Sequence, residues 1–140
     1  MLANNFRTPS ALGISDVEFE SLVKVLGMLE RGEIPDEQFT MRRVQHPCRT
    51  PACLCGWANH VSGGRAFPLQ PQSRPRMFAF ANAEVYGPRW RELPKPILQL
   101  FGFGGRPTDP IYAATTSQAA IALRNFLTHG EPRWAEALTD

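Results

Sequence analysis

Two stretches of this chain carry their own start signals for a helix, and they limit the fold more than any other feature. Ser15 and Glu18 stand three residues apart, ahead of the apolar series Phe19, Leu22, Val23, Leu26 and Leu29. The serine hydroxyl can accept from the N3 amide while the glutamate reaches back to the serine N–H, a reciprocal cap that favours helix initiation. The series recurs at the spacing of one helix face, and Gly32 suits the left-handed residue that follows a helix end. Thr115 and Gln118 repeat the cap ahead of a second face, Ala119, Ala120, Leu123, Phe126 and Leu127, with Gly130 after it. His129 in that last turn complements the helix dipole.

Thirteen prolines and eleven glycines among 140 residues divide the remainder into short pieces. Thr50 is a good N-cap and Pro51 suits the first helical position, so a helix is expected over 51–62, stopped by Gly63 and Gly64. Further short helices are expected over 77–86 and 94–101, with single turns near 35–39 and 134–138. Residues 39–44 read as extended or irregular, 63–76 as a loop, and 1–14 as an N-terminal arm. The expected fold is therefore all-α, one compact domain of about five to six short helices joined by Pro/Gly-rich loops. A chain of 140 residues suits one domain, and 43% hydrophobic against 20% charged residues argues against wholesale disorder. No segment approaches the ~20 apolar residues that span a bilayer, so no membrane partner is expected. The N-terminus lacks a hydrophobic leader. Three cysteines make an odd number without secretory context, which points to a reducing cytoplasm rather than a disulfide framework.

The chemically unusual stretch runs from His46 to His60 and holds His46, Cys48, Cys53, Cys55 and His60. Zinc uses such ligands, but the spacing matches neither Cys-x2-Cys pairs nor a Cys-x2-Cys with His-x3-His. On a helix over 51–62, Cys53 and Cys55 sit about 200° apart, and Cys53 and His60 about 10 Å apart along the axis. One zinc cannot collect them all. His46, Cys48 and Cys53, with a fourth ligand from elsewhere, remain a candidate metal set. A second reading is a reactive thiol: Cys53 falls at N3 of the expected helix, where amides and Arg49 favour the thiolate. His46 is the nearest base, yet no third group completes a catalytic constellation. A third reading is packing, with Cys48 and Cys53 as small buried hydrophobes. Cys53, Gly56, Trp57 and His60 then form one helical stripe.

Cys48-Arg49-Thr50-Pro51-Ala52-Cys53-Leu54-Cys55-Gly56-Trp57-Ala58 resembles the Cys-Gly-Thr-x-x-Cys-x-x-Gly-Trp-Ala signature of a group of small bacterial and phage proteins. Cys48, Thr50, Cys53, Gly56, Trp57 and Ala58 match it, Arg49 replaces its glycine, and Cys55 is not a signature position. The resemblance covers about 39–127. It implies a coherent small domain in a bacterial or phage setting, with Thr50, Gly56 and Trp57 as structural motif residues. It implies no activity, substrate or cofactor.

The net charge is only +2, but it is unevenly placed. Residues 41–95 hold nine basic against two acidic residues, a surplus of +7, and the rest carries −5. Arg42, Arg43, Arg74, Arg76, Arg89 and Arg91 make a candidate surface for an acidic partner, protein or nucleic acid. The alternative is that the acidic ends fold back onto the basic middle. Aromatic residues lie among the arginines of 74–91, which suits stacking on nucleic acid, but no recognised nucleic-acid motif accompanies them. Phe101-Gly102-Phe103-Gly104-Gly105-Arg106 lacks the Gly-Lys-Ser/Thr ending of a phosphate loop, and Asp36, Glu37 and Asp109 suggest no paired-carboxylate site. The expectation is a regulatory or inhibitory interaction module that binds rather than catalyses and needs no cofactor. The rival is a metal- or thiol-dependent protein built on His46, Cys48 and Cys53, with zinc as the metal.

Overall fold

In a computed structural model, residues 5–46, 50–68, 92–103 and 108–139 are described. They form six α-helices: α1 (Pro9–Leu12), α2 (Asp16–Glu30), α3 (Leu54–Val61), α4 (Lys95–Leu100), α5 (Thr116–His129) and α6 (Trp134–Ala137). Two 3-10 turns, Asp36–Gln38 and Pro110–Ala113, join them, and one isolated antiparallel bridge links Gln45 to Pro51. No strand occurs among the described residues, so the fold is all-α.

Both expected caps form. Ser15 Oγ accepts from the Glu18 N–H at 3.1 Å while Glu18 Oε1 accepts from the Ser15 N–H at 2.8 Å. The Thr115 and Gln118 pair does the same for α5. Asp36 ties a distant turn to that helix start, its Oδ1 accepting the Thr116 N–H at 2.8 Å.

Helix α2 packs against α3 and α5, and α5 also packs against α4 and α6. Leu22, Val25, Leu26 and Leu29 meet Leu54, Ala58, Ile97, Leu100, Leu123, Phe126 and Leu127 in one buried cluster. Each such side chain contributes about 1.5–3 kcal/mol relative to exposure, and Ala119 and Ala122 on α5 are small enough to bring helix axes close. The buried face of α2 is rotated from the expected stripe. Ser21 and Val25 are buried, whereas Phe19 and Val23 are only half-buried.

Two expectations need correction. The arm expected over 1–14 is tied down from Phe6 onward. The Arg7 N–H donates to the Leu127 carbonyl at 2.8 Å, the Arg124 guanidinium lies 5.6 Å from the Phe6 ring centre, and Leu12 and Ile14 are buried. The helix expected over 51–62 begins only at Leu54, with Cys53 rather than Thr50 as N-cap. Backbone pairing takes the intervening residues: Ala52 N–H donates to the Val44 carbonyl at 3.0 Å and His46 N–H to the Thr50 carbonyl at 2.9 Å. The loop expected over 63–76 is irregular chain over its described residues 63–68, and two of them pack into the core. Ala66 and Phe67 are buried, and Asn59 Nδ2 donates to the Ala66 carbonyl at 3.0 Å. Residues 69–76 and the helix expected over 77–86 lie outside the described residues. The helix expected over 94–101 is α4, and the C-terminal turn is α6.

Candidate functional site

The His/Cys stretch builds a small turn-back against the start of α3. The bridge brings Val44–His46 alongside Thr50–Ala52, and the Thr40 N–H adds a bond to the Ala52 carbonyl at 3.1 Å. Gly56 lets the first turn of α3 lie on this backbone, because a Cβ there would stand 2.1 Å from the Val44 oxygen. Thr50 serves through its carbonyl rather than as a cap.

The four stripe residues of α3 form a gradient from core to surface. Cys53 and Gly56 are buried, Trp57 is half-buried and His60 is exposed. Cys53 and Cys55 are both free thiols and both buried. Burial pushes the Cys53 thiol up, the largest single influence. Its hydrogen bond with Cys55 and the amides of Gly56, Cys55 and Cys53 outweigh that, and the net displacement is downward. No short capping bond reaches the Cys53 side chain, so the amides act as dipoles that favour the thiolate.

His46 is turned away from this thiol pair in its bonding. Its Nε2–H donates to the Gln38 carbonyl at 2.8 Å, which sets the tautomer of the neutral ring with Nδ1 as its acceptor. Among the described residues no group of three or more His, Cys, Asp or Glu side chains is placed to hold a metal ion. Cys48, the middle member of the candidate metal and thiol set, lies outside the described residues.

What the structure does bring together is a cleft of about 530 Å³, lined by Glu37, Gln38, His46, Thr50, Pro51, Trp57 and His60. The His60 ring stands edge-on to the indole of Trp57, with centres 5.8 Å apart. Trp57 Nε1 is shielded from solvent, and no group among the described residues accepts from it. Sequence spacing placed Trp57 and His60 on one helix face, but Glu37 and Gln38 came from a different turn and carried no signal linking them to this site. A second cleft of about 770 Å³ lies between α4 and α6, lined in part by Leu98, Phe103, Ile111 and Trp134.

The ion pairs bear on the charge asymmetry. Arg31 pairs with Glu33, Arg124 with Glu30 and Arg133 with Glu131. All three lie outside 41–95. Arg42 and Arg65 are exposed and Arg43 is half-buried. Among the described residues none of these three takes a carboxylate partner. Three of the acidic residues of the ends, Glu30, Glu33 and Glu131, thus pair with arginines of the ends. Arg74, Arg76, Arg89 and Arg91 lie outside the described residues.

No helix among the described residues is long and apolar enough to cross a membrane. The chain matches no protein-family model, no curated protein and no solved structure.

Proposed function

We propose that this chain is a small regulatory or inhibitory interaction module whose basic stretch, residues 41–95, binds an acidic partner. The observation that supports it is the pairing pattern: among the described residues Arg42, Arg43 and Arg65 take no carboxylate partner, whereas Arg31, Arg124 and Arg133, outside that stretch, do. A guanidinium left to solvent is available for carboxylate or phosphate recognition through its planar donor fork. The partner is an acidic protein surface or a nucleic acid. Polarisation titrations at low ionic strength with a labelled oligo-glutamate peptide and with a DNA oligonucleotide test this. Binding to at least one is expected, and binding to neither removes the reading.

A thiol-dependent reading on Cys53 comes second, supported by the downward displacement of its thiol beside Cys55. Burial of both sulfurs weighs against it, because structural buried thiols react slowly. A zinc reading on His46, Cys48 and Cys53 would use His46 Nδ1, which the Nε2–H bond to the Gln38 carbonyl leaves open.

A further inference from the structure

The two larger clefts differ in how their charges are met. Charges of both signs line the one beside α6, and its carboxylates are engaged: Glu131 pairs with Arg133, and Asp109 accepts the Ile111 N–H. Among the described residues, the lining of the cleft beside α3 holds one carboxylate, Glu37, and no Arg or Lys. Glu37 is exposed, and no described residue donates to it or pairs with it. Two aromatic rings share that wall, Trp57 and His60, with centres 5.8 Å apart and planes at 85°. His46 gives its Nε2–H to the Gln38 carbonyl, so the nitrogen left on its neutral ring is an acceptor. Backbone contacts hold these groups in place. Gly56 seats α3 against Val44, and the bridge between Gln45 and Pro51 fixes the strand of chain that carries His46.

We infer that the cleft formed by Glu37, Gln38, His46, Trp57 and His60 receives the guanidinium of an arginine side chain from a protein partner. The Glu37 carboxylate supplies the opposite charge, and its two oxygens match the planar donor fork of a guanidinium. Tryptophan is the strongest ring partner for a cation, and a guanidinium packs flat on such rings. Gln38 and His46 add acceptors, which suit a head with five N–H donors better than an ammonium with three. The volume of about 530 Å³ admits one long side chain while the partner's backbone stays outside. A partly exposed carboxylate beside a ring binds such a group weakly, so the cleft adds selectivity for one arginine rather than most of the affinity. The inference is separate from the acidic-partner reading, because Arg42, Arg43 and Arg65 do not line this cleft and the charge it takes is of opposite sign.

Titration of the 15N-labelled full chain with N-acetyl-arginine amide tests this, followed at the Trp57 indole and the His60 backbone N–H. N-acetyl-citrulline amide is the uncharged match in shape. The arginine probe moves both resonances to saturation and the citrulline probe leaves them in place. The Trp134 indole, whose N–H is held by the Gln99 carbonyl at 3.0 Å, stays put throughout and reports an intact fold. Glu37→Gln and Trp57→Leu, read at His60, each weaken binding about three- to fivefold, the loss of one exposed ion pair or one ring contact. Glu37 is exposed, so its substitution tests the cleft without disturbing the core. No movement at Trp57 and His60, equal movement with both probes, or undiminished binding to Glu37→Gln overturns the cleft. N-acetyl-lysine amide binding as tightly as the arginine probe overturns the guanidinium assignment. None of these outcomes depends on a polyanion, so this inference and the acidic-partner reading fail separately.

Discussion

Gly56 and Val44 are in a contact that no side chain can enter: a Cβ on Gly56 would lie 2.1 Å from the Val44 carbonyl oxygen. That oxygen is already engaged, accepting the Ala52 N–H at 3.0 Å. Relieving a clash with it means lifting the turn-back off α3 or breaking the bond. Gly56→Ala is therefore expected to destabilise the protein by about 1–3 kcal/mol, the range for forced overpacking. Urea unfolding followed by circular dichroism measures this. Wild-type stability in the variant means that the turn-back is not seated on α3.

The two capping boxes make a matched pair of tests. Ser15→Ala and Thr115→Ala each remove one hydroxyl acceptor from a first-turn amide. Each is expected to cost about 1 kcal/mol. The sites are on different helices and share no partner, so the double variant is expected to lose the sum. A unfolding midpoint unchanged by either substitution contradicts the assigned helix starts.

These caps were legible because they are local. A hydroxyl and a carboxylate three residues apart act on amides of the same turn, and Ser15 with Glu18 or Thr115 with Gln118 needs no knowledge of the rest of the chain. The start of α3 was not legible for the opposite reason. Thr50-Pro51 is a sound helix start taken alone, but Val44 and His46, several residues upstream, claim Ala52 and Thr50 as backbone partners. Pro51 has no N–H to lose and sits in the bridge without penalty. The rotation of the α2 face follows from Glu18, whose cap to Ser15 buries a carboxylate where an apolar pattern places solvent. The cleft was half legible: Trp57 and His60 lie three residues apart on one helix, whereas Gln38 and His46 reach it through tertiary folding.

Asp36 gives the stability a dependence on acid. Its carboxyl is held below the ordinary aspartate range, first by the backbone N–H of Thr116 and then by the Thr116 side chain, with weak burial opposing. A carboxylate whose folded value is depressed stabilises fully above its unfolded value, and that stabilisation is lost as pH falls through the folded value. Wild-type stability is thus expected to drop more steeply than that of Asp36→Asn on acidification below about pH 4. Thermal melts across that range compare the two, and parallel curves contradict the Asp36–Thr116 bond.

The buried thiols make a kinetic prediction. In a Cys48→Ser background, Cys53 and Cys55 are expected to resist a disulfide reagent in the native state and to react in full on denaturation. Their labelling rate then follows the opening equilibrium, rising with mild denaturant as the fold loosens. Rapid native labelling at neutral pH assigned to Cys53 by mass spectrometry favours the thiol-dependent reading.

The most direct test of the acidic-partner account is the salt dependence of binding with and without the arginines that carry it. Affinity for the acidic probe that binds is measured over a series of salt concentrations, for the wild type and for a variant with Arg42, Arg43, Arg74, Arg76, Arg89 and Arg91 all replaced by glutamine. On a nucleic acid each neutralised phosphate contributes about 0.9 to the slope of log affinity against log salt, and on an acidic peptide the same screening acts on the carboxylates. The account predicts a steep fall in wild-type affinity with salt and a weaker, flatter response in the variant. Equal affinity and equal slope for the two chains contradict it.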